Sequence, residues 1–204
     1  MSNRDITKDY TVYDYDVDKE KLTESEWESD DSKRRYITNL ATEIGWIIIE
    51  FSSLENKLDS TLNFHLIESN KNKEIIFSMI SRKSYSEKVD LLSNMFKINY
   101  ARNPEVYDMN FENFSEDLKD MHLRLKKVGQ IRNNYAHSIF SNVNETKFVE
   151  RKTKLTAQGI KKEFTRYDYK DIENDFEEIY DVGDKLSLFN EKTWKCLVEI
   201  GKKH

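Results

Sequence analysis

The sequence predicts an all-α fold, an antiparallel bundle of four to five helices with a β-hairpin inserted before the last one. Three observations carry that prediction. Only 5 Gly and 1 Pro occur in 204 residues, too few turn residues for a sandwich or barrel, which spends them at every reversal. Charged residues make up 35% and hydrophobic residues 37% of the chain, the balance of long helices with one apolar stripe and a solvated outer face. Apolar residues also recur by threes and fours through most of the chain.

The elements follow in order. Residues 1–32 are an acidic leader. Its first 31 residues hold 11 Asp or Glu against 4 Lys or Arg and lack sustained helical periodicity, so a flexible, self-repelling arm is expected. The same acidic, aromatic composition also suits a mimic of nucleic acid that covers a basic surface of its own body or of a partner. Residues 33–204 are expected to form one helical domain. Its first helix is long, with Ile37, Leu40, Ala41, Ile44, Ile47, Ile48, Phe51, Leu54, Leu58, Leu62 and Leu66 along one stripe. A short helix follows at about 73–80. Ser84 and Glu87 then have the spacing of a capping box, where serine and glutamate side chains each accept a backbone N–H that the first helical turn leaves free. The helix they open turns Val89, Leu92, Met95 and Phe96 inward.

The one proline, Pro104, is placed in a polar loop over 99–108. The next helix runs from about 110 to 137 or 138, with Phe111, Phe114, Leu118, Met121, Leu125, Val128, Ile131 and Tyr135 inside. Helical periodicity then stops. Residues 147–155 and 160–169 are rich in β-branched and aromatic side chains, with Gly159 in the connection, and predict a hairpin over about 147–169. The last helix, about 170–200, buries Ile172, Phe176, Ile179, Leu186, Phe189, Trp194 and Leu197.

Several chemistries are excluded. The glycines stand isolated at Gly45, Gly129, Gly159, Gly183 and Gly201, so no phosphate-cradling loop or dinucleotide fingerprint can be built. Cys196 has no partner thiol, the four histidines show no zinc spacing, and no Gly-x-Ser-x-Gly elbow occurs. Cys196 reads as a small packing residue; neither metal nor cofactor is expected. The run Trp46-Ile47-Ile48-Ile49 falls far short of the roughly 20 residues of a membrane span, and the N-terminal residues do not resemble a signal peptide. A cytoplasmic protein is expected. The net charge of −5 arises in the leader: residues 1–31 carry −7 and residues 32–204 carry +2.

The informative stretch is Gln130-Ile131-Arg132-Asn133-Asn134-Tyr135-Ala136-His137-Ser138. It brings a permanent cation, two amides and a group that titrates near neutrality to the end of one helix. At about 100° per residue, Asn133 and His137 share a face with Gln130 and Lys126, whereas Arg132 falls inside the apolar arc of Val128, Ile131 and Tyr135. A guanidinium at the edge of a core stripe requires an anionic partner or a second protein surface. Glu50 or Glu55 of the first helix could pair with it, and His137 could simply complement the negative end of its helix.

Arg132-Asn133-Asn134-Tyr135-Ala136-His137 resembles the signature of the HEPN superfamily, an Arg, a polar residue, three to five further residues and a His, placed late in a long helix of an all-α bundle. The likeness extends to the long first helix and the hairpin-like insert, over about residues 33–200. It implies a HEPN-like helical domain that is a metal-independent endoribonuclease, a toxin or antiviral-defence effector acting as a homodimer whose two motifs meet at the interface. It also implies that Arg132 and His137 are the catalytic pair and Asn133 the supporting polar residue. A silencing antitoxin or a sensor protein would be a further partner. In the subgroup whose antitoxin modifies a tyrosine, that tyrosine follows the histidine by two residues; here the position is Ile139.

Helical geometry agrees with a dimeric site, because five residues separate Arg132 from His137 by roughly 140°, which a second copy can complement. In RNA cleavage the 2′-OH loses a proton as it attacks phosphorus, and the leaving 5′ oxygen gains one. His137 can serve as base or acid near neutrality, and Arg132 offers a forked donor to the phosphorane. The expected products are a 2′,3′-cyclic phosphate and a 5′-OH. Single-stranded RNA or tRNA would land on the hairpin. Residues 147–170 carry +5, with Lys152, Lys154, Lys161, Lys162 and Arg166 interleaved with Phe148, Phe164, Tyr167 and Tyr169. The same lysines could instead guard a sheet edge against aggregation. A non-catalytic HEPN module that binds a nucleotide, RNA or protein partner is the alternative function.

Overall fold

In a computed structural model, residues 6–9, 30–67, 73–142, 147–156 and 159–202 are described. They are predominantly helical. In chain order they form β1 (Ile6–Asp9), α1 (Asp30–Ile67), α2 (Lys73–Ser81), α3 (Tyr85–Arg102), α4 (Pro104–Asn110), α5 (Phe114–His137), β2 (Ile139–Asn142), β3 (Lys147–Thr156), β4 (Gly159–Asp168) and α6 (Tyr169–Lys202). The chain divides into two units, residues 1–48 with 133–176, and residues 49–132 with 177–204.

The first unit holds an antiparallel four-stranded sheet in the order β1-β4-β3-β2. Strands β3 and β4 pair from Lys147↔Asp168 to Thr156↔Gly159, across the residues whose β-branched and aromatic content suggested a hairpin. The sheet is wider than that hairpin. Ile139–Asn142 pairs with β3, and Ile6–Asp9 pairs with β4 from Ile6↔Thr165 to Asp9↔Lys162. The expectation of a flexible leader over 1–32 is corrected at both ends of what is described: residues 6–9 are a strand, and α1 begins at Asp30. The rest of the leader lies outside the described residues. β4 passes into α6 without a loop, because Asp168 and Asp171 cap each other. The Asp168 N–H donates to Asp171 Oδ2, and the Asp171 N–H donates to Asp168 Oδ1, each at 3.1 Å. Among the described residues, Leu40, Ile47, Tyr135 and Ile172 are buried apolar residues of this unit.

The second unit is a helical core. Phe51, Leu54, Leu58 and Leu62 of α1, Val89, Leu92 and Phe96 of α3, and Leu118, Leu125, Val128 and Ile131 of α5 are buried, at the threes and fours of their helices. Ser84 opens α3 with both halves of its capping box formed. The polar loop expected over 99–108 is instead helix. α3 continues to Arg102, and Pro104 begins α4 at the position where a missing N–H and a fixed φ cost nothing. Among the described residues six helices therefore replace the expected four to five. α5 starts at Phe114 rather than 110, where Asn113 Oδ1 accepts the Glu116 N–H at 3.2 Å.

In α6 the buried stripe of this unit runs through Ile179, Val182, Leu186, Phe189, Thr193 and Cys196. Trp194, expected inside, is 39% exposed and lies against Phe64 at 4.5 Å. It sits about 100° off the stripe that Thr193 occupies. Leu197 and Phe176, also expected inside, are half-buried. Ile37 of α1 is exposed, as is Trp46. Among the described residues, no helix is long and apolar enough to cross a membrane.

Candidate functional site

Helix α5 delivers the candidate catalytic residues because its inner stripe is unbroken. Leu118, Met121, Leu125, Val128, Ile131 and Tyr135 are all buried, which fixes the rotation of every intervening residue. Arg132, the cation on the edge of that stripe, is half-buried. Its guanidinium carbon stands 5.7 Å from the centroid of the Phe51 ring, within the range of a cation–π contact. Phe51 is itself buried and backed by Tyr85 at 4.7 Å between centroids, so the ring is a firm support.

Of the two carboxylates considered as partners, Glu55 accepts a hydrogen bond from Lys88 at 3.1 Å. Lys88 also donates to Asp59 at 2.8 Å, which makes a compact ionic cluster. Glu50 is half-buried.

Asn133 and His137 are exposed. His137 is the last residue of α5. The Ser138 N–H still donates to the Asn134 carbonyl at 3.1 Å, so the helical turn around the motif is closed. Between the two candidate catalytic residues, Tyr135 is anchored. Its buried hydroxyl donates to Asp175 Oδ2 of α6 at 3.0 Å, and its ring stacks on Phe140 at 5.8 Å.

Tyr135 and Asp175 are the pair that sequence reasoning missed. Asp175 is 7% exposed, and its signal was present: it lies three residues after Ile172 and four before Ile179, inside the apolar stripe of its helix. A carboxylate there needs a donor, and Tyr135 supplies one.

The candidate RNA-binding residues all lie on β3 and β4. Lys152 is opposite Glu163 and Lys154 is opposite Lys161, while Lys162 is opposite Thr153 and Arg166 is opposite Val149.

Cys196 is buried, and burial pushes its thiol up to about 11, so it stays protonated and unreactive at neutral pH. His65 is also buried. Desolvation lowers its pKa against the opposing bond to Asn190, at 3.0 Å, which suits a neutral packing residue. Among the described residues no group of three or more His, Cys, Asp or Glu is placed to hold a metal ion. In comparisons with known proteins, no family model, no curated protein and no solved structure matches the chain.

Proposed function

We propose that the chain is a metal-independent endoribonuclease of the HEPN type, a toxin or antiviral-defence effector of the cytoplasm. It would cleave RNA by 2′-OH attack at a composite site between two copies. The observation that carries the reading is the state of the motif at the end of α5: Arg132 held half-buried on the Phe51 ring while His137 and Asn133 stand exposed. A fixed guanidinium can meet developing charge without reorganising, and an exposed imidazole can exchange protons with substrate. In this reading His137 is the acid–base group, Arg132 stabilises the phosphorane, Asn133 supports the scissile phosphate, and the second copy supplies the complementary set. The basic positions of β3 and β4 would hold single-stranded RNA or tRNA. An antitoxin or sensor protein would restrain the activity.

The test is incubation of single-stranded RNA and tRNA with the purified protein in EDTA, beside His137→Ala and Arg132→Ala. The expected result is cleavage by the wild type alone, leaving 2′,3′-cyclic phosphate and 5′-OH ends. Absence of cleavage by the wild type, or equal cleavage by the variants, overturns the reading.

A further inference from the structure

Away from the motif, α3 and α5 enclose a cavity of about 460 Å³, within the size range of small-molecule sites. Ser93, Lys97 and Tyr100 line it from α3 and Ser115, Lys119 and His122 from α5. Both triplets are spaced by fours and threes, so each helix turns a single stripe toward the cavity.

The floor is apolar. Leu118 and Phe114 are buried, and Tyr100 stacks on Phe114 with centroids 4.9 Å apart and planes 24° from parallel. Above it, Lys97 and Lys119 are exposed and form no ion pair among the described residues. Two carboxylates are held by lining side chains: Asp90 accepts from His122 at 2.9 Å and also from Lys126 at 2.8 Å, and Asp108 accepts from the Tyr100 hydroxyl at 3.1 Å.

Ser93, only 5% exposed, also lines the cavity and places a hydroxyl group on its wall.

We propose that this cavity binds a small organic dianion that carries a planar ring, an aryl phosphate in chemical class. The ring lies on the Tyr100 and Leu118 floor, the phosphate between Lys97 and Lys119, and Ser93 donates to a phosphate oxygen. Two lysines, one on each wall of the cavity, favour a dianion over a carboxylate. The aromatic floor favours an aryl phosphate over the bare ion.

The test is calorimetric titration of the full chain at low salt with phenyl phosphate, inorganic phosphate, benzoate and AMP. Phenyl phosphate is expected to bind at least about tenfold tighter than inorganic phosphate or benzoate, and AMP reports whether a larger ring is admitted. Lys97→Gln and Lys119→Gln, both at exposed positions, should each weaken phenyl phosphate by about tenfold. Tyr100→Leu should weaken phenyl phosphate and leave inorganic phosphate unchanged. His137→Ala should leave phenyl phosphate binding unchanged, which separates this cavity from the proposed RNA site. No binding at about 10 mM phenyl phosphate overturns the proposal. So does equal binding of benzoate, or undiminished binding by the Lys97→Gln, Lys119→Gln double variant.

Discussion

Replacing Arg132 with Lys separates a structural role from a chemical one. In the structure the guanidinium lies 5.7 Å from the Phe51 centroid, a contact worth roughly 1 kcal/mol for a half-buried cation. Lysine keeps the charge and an apolar stem that can cover the same ring, so the loss of stability should stay within about 1 kcal/mol, or about 2–4 °C for a chain of this size. What lysine cannot keep is the planar fork that donates two parallel hydrogen bonds to phosphate. Removing one preorganised donor from a developing oxyanion typically costs about 10²–10³ in rate. Cleavage of a fluorescent single-stranded RNA in EDTA should therefore fall about a hundredfold while the thermal midpoint barely moves. Arg132→Met, which keeps only the stem, should lose cleavage at least as fully. If Arg132→Lys cleaves within about threefold of the wild type, the fork is not used and the chemical assignment of Arg132 fails.

Three further outcomes follow from single contacts. Tyr135→Phe removes the donor to the buried Asp175 carboxyl but keeps the ring against Phe140. It should cost about 1.5–3 kcal/mol in urea denaturation, and a change below about 0.5 kcal/mol would show that Asp175 does not depend on it. Lys88→Met leaves Glu55 and Asp59 without their shared cation and should cost about 3 kcal/mol. In the wild type, burial pulls the Lys88 pKa down but hydrogen bonds to Asp59 and Glu55 outweigh it, so the folded value is raised. That stabilisation is complete below the unfolded value of roughly 10.4 and is lost as pH rises through the folded one. Urea midpoints measured from pH 8 upward should therefore decline more steeply in the wild type than in Lys88→Met. Two helical glycines should respond with opposite signs to alanine. A Cβ at Gly45 meets nothing within 4 Å, so Gly45→Ala should stabilise by about 0.5–1 kcal/mol. A Cβ at Gly129 would stand 2.8 Å from Tyr85 Cε1, so Gly129→Ala must displace a ring whose hydroxyl donates to the Leu125 carbonyl at 3.0 Å. Thermal melts of the two variants should move in opposite directions.

What could be read from the sequence was local. The capping box at Ser84 and Glu87, the stripes of α1 and α5, and the strand character of 147–156 and 159–168 depend on neighbours in the chain, and spacing reports neighbours. Pro104 misled because a proline marks both loops and first helical turns, and only the helix that follows decides between them. Strands β1 and β2 have four residues each, too short for alternation to register, and they exist by pairing with β4 and β3. Trp194 counts among the apolar residues of the last helix, whereas it is Thr193 that faces inward, with its hydroxyl bonded to the Asn190 carbonyl at 2.9 Å. The misplacement of Arg132 on its helix was visible at once. Its support by Phe51, 81 positions away along the chain, and the Tyr135–Asp175 bond, 40 positions apart, are tertiary and leave no periodic trace.

The scarcity of glycine bears on how such a chain can handle phosphate at all. A backbone cradle needs clustered glycines so that N–H groups can approach the anion, and the four glycines of the described helices, Gly45, Gly129, Gly183 and Gly201, stand singly. Phosphate must then be met by side chains projecting from helices at intervals of three and four. In the second unit Lys97 of α3 and Lys119 of α5 line one cavity, while Arg132 is steadied by a ring beneath it. Charge presented on flexible stems is screened by salt more readily than charge held in a dry backbone nest. A helical phosphate site therefore gains selectivity only where an apolar floor or a buried hydroxyl accompanies the cations. Leu118 provides such a floor in the cavity between α3 and α5, and the buried Phe51 ring provides the apolar support under Arg132.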